Sequence, residues 1–372
     1  MKVDQYDEIH FTTYYKYGDF VKSSIKKCII SSLKKKQKYI ELDSWNFLII
    51  DLEGDAEDAK NLFQCITNSI NQLLNDKKQK IYFSIAAGAI ELSKEFYSYD
   101  RVLECLNFSL NRAEGFNGNK FYLFDMQHYI RLKRKEEILK HIYWAINHDF
   151  EGFELYYQPI IDINTKSIIT LEALLRLKMK DEYIQPKEFI SLLEQTHLIL
   201  PVGRWVLKTA MESWKELQQL IPGLKMNVNM SFVQVNQNNS VQMIIDIIKE
   251  IDTTLLGIEI TETGELNSNQ YYNFCIGLEK GKRALILDDY GSGFSNVHRL
   301  TAAKPQYIKI DHSFTKHIIK SDYYRKILKN TITDVIKSLG ADYMQGCLFA
   351  RPMDKHSFIK NHKRMSENFL NN

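Results

Sequence analysis

The sequence predicts an α/β protein in which a smaller mixed α+β region precedes a (β/α) barrel. Downstream of about residue 150, short β-rich runs alternate with helical stretches, the rhythm of parallel βα units. Several of these runs finish in an acidic or polar group, and in a (β/α)8 barrel the C-terminal strand ends all face one cavity. A third observation divides the chain. The charged stretch RLKRKEEILKHIYWAINHDF carries Ile138, Ile142 and Ile146 at i+4 spacing, so residues 131–147 read as a linker helix between regions at 1–130 and 148–372.

The first region opens with a basic helix from about Asp19 to Lys36, followed by a strand YIELDSWNFLII and a helix from about Ala56 to Leu74. A strand KIYFSIAAGAI, a helix near Asp100 to Arg112 and a strand NKFYLF complete it. Lys34, Lys35, Lys36 and Lys38 read as a solvated helix end rather than a phosphate site. In the second region the β-rich runs are FELYYQPIIDI, SIITLEALLRL, LKMNVNMSF, LLGIEITE, RALILDDYG, YIKIDHSF and DYMQGCLFA.

Because strand side chains alternate between faces, residues of equal parity share a side. Asn227, Asn229 and Ser231 then share one face, as do Lys309 and Asp311, and this polar parity faces the barrel mouth. Glu259 falls on that side, and Glu262 is a supporting residue beyond the strand end.

Composition excludes several classes. Of 372 residues, 44% are hydrophobic and 26% charged, with only 16 Gly and 6 Pro, so a folded chain is expected throughout. The net charge of +3 gives no electrostatic case for DNA, RNA or a membrane surface as partner. Cys28, Cys65, Cys105, Cys275 and Cys347 are widely spaced, which argues against a disulfide framework or a zinc site; they are expected to be buried thiols. With no leader-like apolar segment and no long apolar run, a cytoplasmic protein is expected. GLEKGKR is too short for a P-loop, and no G-x-G-x-x-G follows a strand.

The polar strand ends have a chemistry of their own. Glu172, Asn229, Glu259, Asp288 and Asp289 offer only oxygen donors, the set preferred by Mg2+, Mn2+ or Ca2+. Their carboxylates balance two divalent cations, the arrangement that polarises a phosphodiester and activates water for in-line attack. Lys309 among these acids can stabilise developing phosphorane charge, and Arg176 can pair a non-bridging phosphate oxygen. Any one such acid reads as a solvated strand end, but adjacent Asp288 and Asp289 repel unless cations compensate them.

The motifs YYQPIID, EALLR, P-x-x-FI, NVNMS, EITE, DDYGSGFS, KID and QGCLFARP, in this order over about 148–358, resemble the EAL-domain family. The resemblance implies a TIM-like barrel that hydrolyses cyclic di-GMP to linear pGpG with two Mg2+ or Mn2+ ions in bacterial signalling, as a homodimer. It makes Glu172, Asn229, Glu259, Asp288 and Asp289 the metal ligands, with Lys309 and Glu262 as catalytic and loop-organising residues. Arg176, Gln158 and Gln345 become substrate-binding residues. The first region resembles the later part of a GGDEF domain, with Asp43, Ser44, Trp45, Asn46 and Phe47 in place of the signature, so no diguanylate cyclase activity is expected.

The sequence departs from the family at one point. Members carry an A-E-G-V-E strand between KID and Q-G-Y, whereas here IKSLG runs directly into ADYMQGC. The barrel is therefore expected to lack its seventh βα unit, roughly 20 to 25 residues. No glutamate lies between Glu279 and Glu367 to replace the missing one, and hydrolysis should be weakened by orders of magnitude. The alternative function is an inactive cyclic di-GMP receptor or interaction scaffold.

Overall fold

The computed structural model describes residues 1–4, 15–42, 45–76, 84–92, 98–114, 120–237, 239–247, 255–261, 268–281, 283–290, 305–310, 342–347 and 349–370. The chain forms two compact units, Met1–Arg134 and Lys135–Asn372.

The first unit contains β1 (Lys2–Asp4), α1 (Tyr15–Ser32), β2 (Gln37–Glu41), β3 (Phe47–Asp51), α2 (Ala56–Asp76), β4 (Ser84–Ala89), α3 (Tyr99–Ala113) and β5 (Lys120–Leu123). β4 is central, antiparallel to β1 and parallel to β5. Ile25, Ile29, Phe47, Phe63, Ile66, Ile70 and Ile85 form the core between helices and strands. The single strand expected at YIELDSWNFLII is a hairpin: β2 and β3 pair antiparallel, and Leu42 N–H donates to Asn46 C=O at 3.0 Å. Lys34 and Lys36 pair with Asp58 and Glu53, which makes them solvated, neutralised surface charges.

Helix α4 (Met126–Asn147) starts before the expected linker and crosses the boundary between the units. Its Ile138, Ile142 and Ala145 are buried in the core of the second unit, so the i+4 isoleucine stripe is its packing face.

In the second unit follow β6 (Phe153–Asp162), β7 (Ile168–Met179), β8 (Glu182–Ile184), α5 (Pro186–Gln195), α6 (Ile199–Leu220), β9 (Lys225–Asn229), α7 (Phe232–Val235) and α8 (Ser240–Ile247). The remainder is β10 (Leu256–Thr261), α9 (Ser268–Lys280), β11 (Ala284–Tyr290), β12 (Tyr307–Ile310), β13 (Tyr343–Met344), β14 (Met353–Asp354) and α10 (Lys355–Leu370). The strands form one sheet in the order β12-β11-β10-β9-β7-β6-β13, with β8 on β7 and β14 on β6.

Along the path β7-β9-β10-β11-β12 all neighbours are parallel, whereas the short β8 pairs antiparallel with β7. β6 is the exception to the expected all-parallel rhythm: it pairs antiparallel with β7, because the short segment Ile163–Ser167 permits a hairpin but not a crossover. The outward parity of the sheet, including Leu171, Ala173, Val228, Ile258 and Ile260, packs with α5, α6 and α9 residues such as Phe189, Val206, Trp214 and Phe274. Burial of this face fixes the register, since a slip of one residue would turn these apolar side chains away from the helices.

Cys28, Cys105 and Cys275 are buried as expected, whereas Cys65 and Cys347 are exposed. Cys65 lies on α2 and Cys347 lies just beyond β13, and both are open to solvent. No helix among the described residues is long and apolar enough to cross a membrane.

Candidate functional site

The parallel register brings the inward residues of neighbouring strands to one level. Glu172 on β7 stands opposite Gln158 on β6 and Asn227 on β9, and Glu259 on β10 stands opposite Asn229. Glu172, Glu259, Gln158 and Asn227 are all buried, so their polar atoms must find partners inside the sheet. Asn229 donates its side-chain amide to Glu172 Oε1 at 2.7 Å, and Asn227 donates to Glu259 Oε1 at 2.8 Å. Gln345 donates to Glu172 Oε2 and, at 3.1 Å, to Gln158 Oε1, while Gln158 donates to the Ala350 carbonyl at 3.0 Å.

Lys309 on β12 ties the acids together. Its Nζ donates to Glu172 Oε2 and to Glu259 Oε2, each at 2.8 Å, and lies 3.7 Å from Asp288 Oδ2. Burial disfavours the ammonium, but the charges of Glu259, Glu172 and Asp288 outweigh it and hold its pKa above the ordinary value. Burial also pushes Glu259 up to about 8, reinforced by the charge of Glu172 and opposed by Lys309. Glu172 goes the other way: burial raises it, but Lys309, Gln345 and Asn229 more than offset this and hold it low. Asp288 is raised, first by burial. One ammonium thus faces more carboxylate charge than it can neutralise, and the balance of burial and neighbouring acids shifts Glu259 toward its neutral form.

This charge imbalance is what a divalent cation relieves. Glu172, Glu259 and Asp288 each offer an oxygen, all within 4.8 Å of one another. The Gln345 Oε1 is buried without a hydrogen-bond partner among the described residues, and Asn229 engages Glu172 through its amide nitrogen rather than its oxygen. The oxygen-only donor set therefore fits a hard cation.

Gln158, Glu172, Asn229, Glu259, Asp288, Lys309 and Gln345 are brought together. Arg176 stands apart, nearer the end of β7, half-buried over the Tyr156 ring. Asp289 lies at φ 55° beside a register shift between Leu287 and Tyr290, so the strand alternation breaks there, and its N–H donates to Asp288 Oδ1 at 2.8 Å. Glu262, Asp311 and His312 lie outside the described residues. Ser231 does not join the cluster; it caps α7, accepting from Val233 N–H.

Asn227 is a residue that parity places inward but that no motif marks as functional. Its seat depends on Gly257 in the neighbouring strand, where a Cβ would come within 2.4 Å of Asn227 Oδ1. The paired appearance of a polar inward residue and a strand glycine was the available signal.

The EAL domain family matches residues 145–341, more than half of the chain. The probable cyclic di-GMP phosphodiesterase PdeI of Escherichia coli is 31% identical over 261 residues, covering 62% of this chain and 33% of PdeI. The oxygen sensor protein DosP of the same organism is 26% identical over 349 residues, covering 91% of this chain and 42% of DosP. The chain thus spans well under half the length of these relatives. Among solved structures, the PaMucR phosphodiesterase in complex with c-di-GMP has a TM-score of 0.52 at 22% identity, covering 59% of this chain and 99% of that one. The EAL enzyme Bd1971, bound to cAMP and cyclic di-GMP, has a TM-score of 0.54 at 20% identity, covering 86% and 81%. At these identities the likeness is one of fold. By the match of its second unit, whose parallel strands bring buried Glu172 and Glu259 together with half-buried Asp288, the chain belongs to the EAL domain family.

Proposed function

We propose that the inner face of the second unit binds cyclic di-GMP, and that the chain acts in cyclic di-GMP signalling as a relative of the phosphodiesterases that yield linear pGpG. One observation carries the reading: Lys309 and the acids Glu172, Glu259 and Asp288, from four strands, converge at one level of the parallel sheet. The likeness to PdeI, a probable cyclic di-GMP phosphodiesterase, and to PaMucR in its c-di-GMP complex supports the ligand class.

Glu172, Asn229, Glu259, Asp288 and Asp289 are the residues to hold two Mg2+ or Mn2+ ions, which when bound polarise the phosphodiester and activate the attacking water. Lys309 donates to oxygens that gain charge as the bond to phosphorus forms. Arg176 binds a phosphate oxygen, Gln158 and Gln345 orient Glu172, and Glu262 orders the segment after β10. The N-terminal unit serves as a degenerate GGDEF-like packing or dimerisation module without cyclase activity, in a cytoplasmic homodimer.

A second reading, a receptor that binds without turnover, is favoured by the lack of any glutamate between Glu279 and Glu367. It is consistent with a barrel without its seventh βα unit. The Tyr307 ring on β12 meets the Tyr343 ring on β13 edge-on, with centroids 5.6 Å apart.

Purified full chain assayed for pGpG release with Mg2+ or Mn2+, beside Asp288→Asn, tests the enzyme reading. Product lost in the variant establishes hydrolysis. Absence of product with retained binding in Ca2+ establishes the receptor, and absence of both overturns the ligand assignment.

A further inference from the structure

Arg176 lies four residues beyond Glu172 on the same face of β7, roughly 13 Å further along the strand at the usual rise. Its side chain donates to the neighbouring Leu175 carbonyl at 2.9 Å, and its guanidinium carbon stands 5.4 Å from the centroid of the Tyr156 ring. Tyr156 is on β6, opposite Leu174, and Glu154 is directly opposite Arg176. Glu154 is nevertheless engaged elsewhere: the Tyr183 hydroxyl on β8 donates to Glu154 Oε2 at 2.8 Å, and no ion pair joins Arg176 to Glu154 among the described residues.

The carboxylate sets the order of this chain of bonds. An ionised Glu154 only accepts, so Tyr183 spends its proton there and accepts in turn from the Tyr156 hydroxyl, at 3.1 Å. The two rings meet edge-on with centroids 5.8 Å apart, which fixes the plane of Tyr156 beside the guanidinium. The cross-strand acid is thereby held by a tyrosine instead of neutralising the arginine. A ring face supports the cation without consuming its N–H donors.

We propose that Tyr156, held by Tyr183 and Glu154, is a positioning residue for Arg176, keeping the guanidinium oriented to receive a phosphodiester oxygen of the ligand. The proposal rests on the reading of the inner face as a cyclic di-GMP site.

Calorimetric titration of the full chain with cyclic di-GMP in Ca2+ tests it, using Tyr156→Leu, Tyr156→Phe, Arg176→Ala and the double variant Tyr156→Leu/Arg176→Ala, with thermal melting of each as a control for folding. Tyr156→Leu is expected to weaken binding about threefold to tenfold, the range of a partly exposed cation–π contact. Tyr156→Phe, which keeps the ring, stays within about twofold. In the Arg176→Ala background, Tyr156→Leu adds nothing further, which a purely structural role would not produce. Unchanged affinity in Tyr156→Leu, or an equal loss in both backgrounds, overturns the proposal while leaving the ligand assignment intact. Failure of the unaltered chain to bind overturns both.

Discussion

The ammonium of Lys309 sits 2.8 Å from Oε2 of Glu259, a carboxyl group with no exposed surface, and offsets the cost of burying the acids gathered around it. Lys309→Met leaves Glu172, Glu259 and Asp288 facing one another with no cation. The metal-free chain is expected to lose about 3 to 5 kcal/mol of stability, the cost of breaking a buried pair. Chemical denaturation checks this, and saturating Mn2+ should recover much of the loss, because a divalent ion supplies the missing positive charge.

The raised pKa of Glu259 gives stability a definite pH dependence. Between its ordinary value of 4.5 and about 8, the folded chain holds a proton that the unfolded chain has released. Its contribution is therefore complete below the unfolded value and is lost as pH rises through about 8. Glu172, held low, contributes in the opposite sense, losing its share only in acid as pH falls through its folded pKa. In EDTA, the melting temperature should fall from about pH 6 to about pH 9, and Glu259→Gln should flatten that slope. A slope unchanged in the variant would refute the assignment.

Asn227 and Gly257 form a second matched pair. Asn227→Leu removes the donor to Glu259 Oε1 and is expected to cost about 1 to 3 kcal/mol. Gly257→Ala is expected to cost a similar amount, because its Cβ would meet Asn227 Oδ1 at 2.4 Å and Ile286 Cδ1 at 2.5 Å. Combining Gly257→Ala with Asn227→Ala should cost less than the two separate losses together, since the smaller side chain removes one of the two clashes. Urea denaturation of the four proteins measures this.

In the first unit, Gly88 on β4 allows α3 to lie directly on the sheet. A Cβ there would reach 2.3 Å from Leu110 N and 2.7 Å from Ser109 C, both backbone atoms that cannot rotate away. Gly88→Ala is expected to destabilise the chain by about 1 to 3 kcal/mol or more, read as a lowered midpoint in urea. An unchanged midpoint would mean that α3 sits further from β4.

Parity made much of the cluster legible before any tertiary contact was known. The alternation that put Asn229, Glu259 and Lys309 on one face is a local property of extended backbone, and it survives intact in the folded sheet. The same reasoning could not separate Asp288 from Asp289, because a bulge breaks the two-residue period at that point. Nor could it see the hairpin of β2 and β3, where a run rich in strand formers turns back on itself.

By itself the sequence determined which residues can face the interior of the sheet and that they bring oxygen donors together with a lysine, because side-chain type and strand period are both local. Only the tertiary structure decided that β6 runs against its neighbours, that Asn227 clamps Glu259, that burial raises the pKa of Glu259 while that of Glu172 is held low, and that Tyr156 lies under Arg176. These depend on how closely groups far apart in the chain approach, as Lys309 and Glu172 do across 137 positions. At such separations burial and Coulomb attraction, not local propensity, choose the partners.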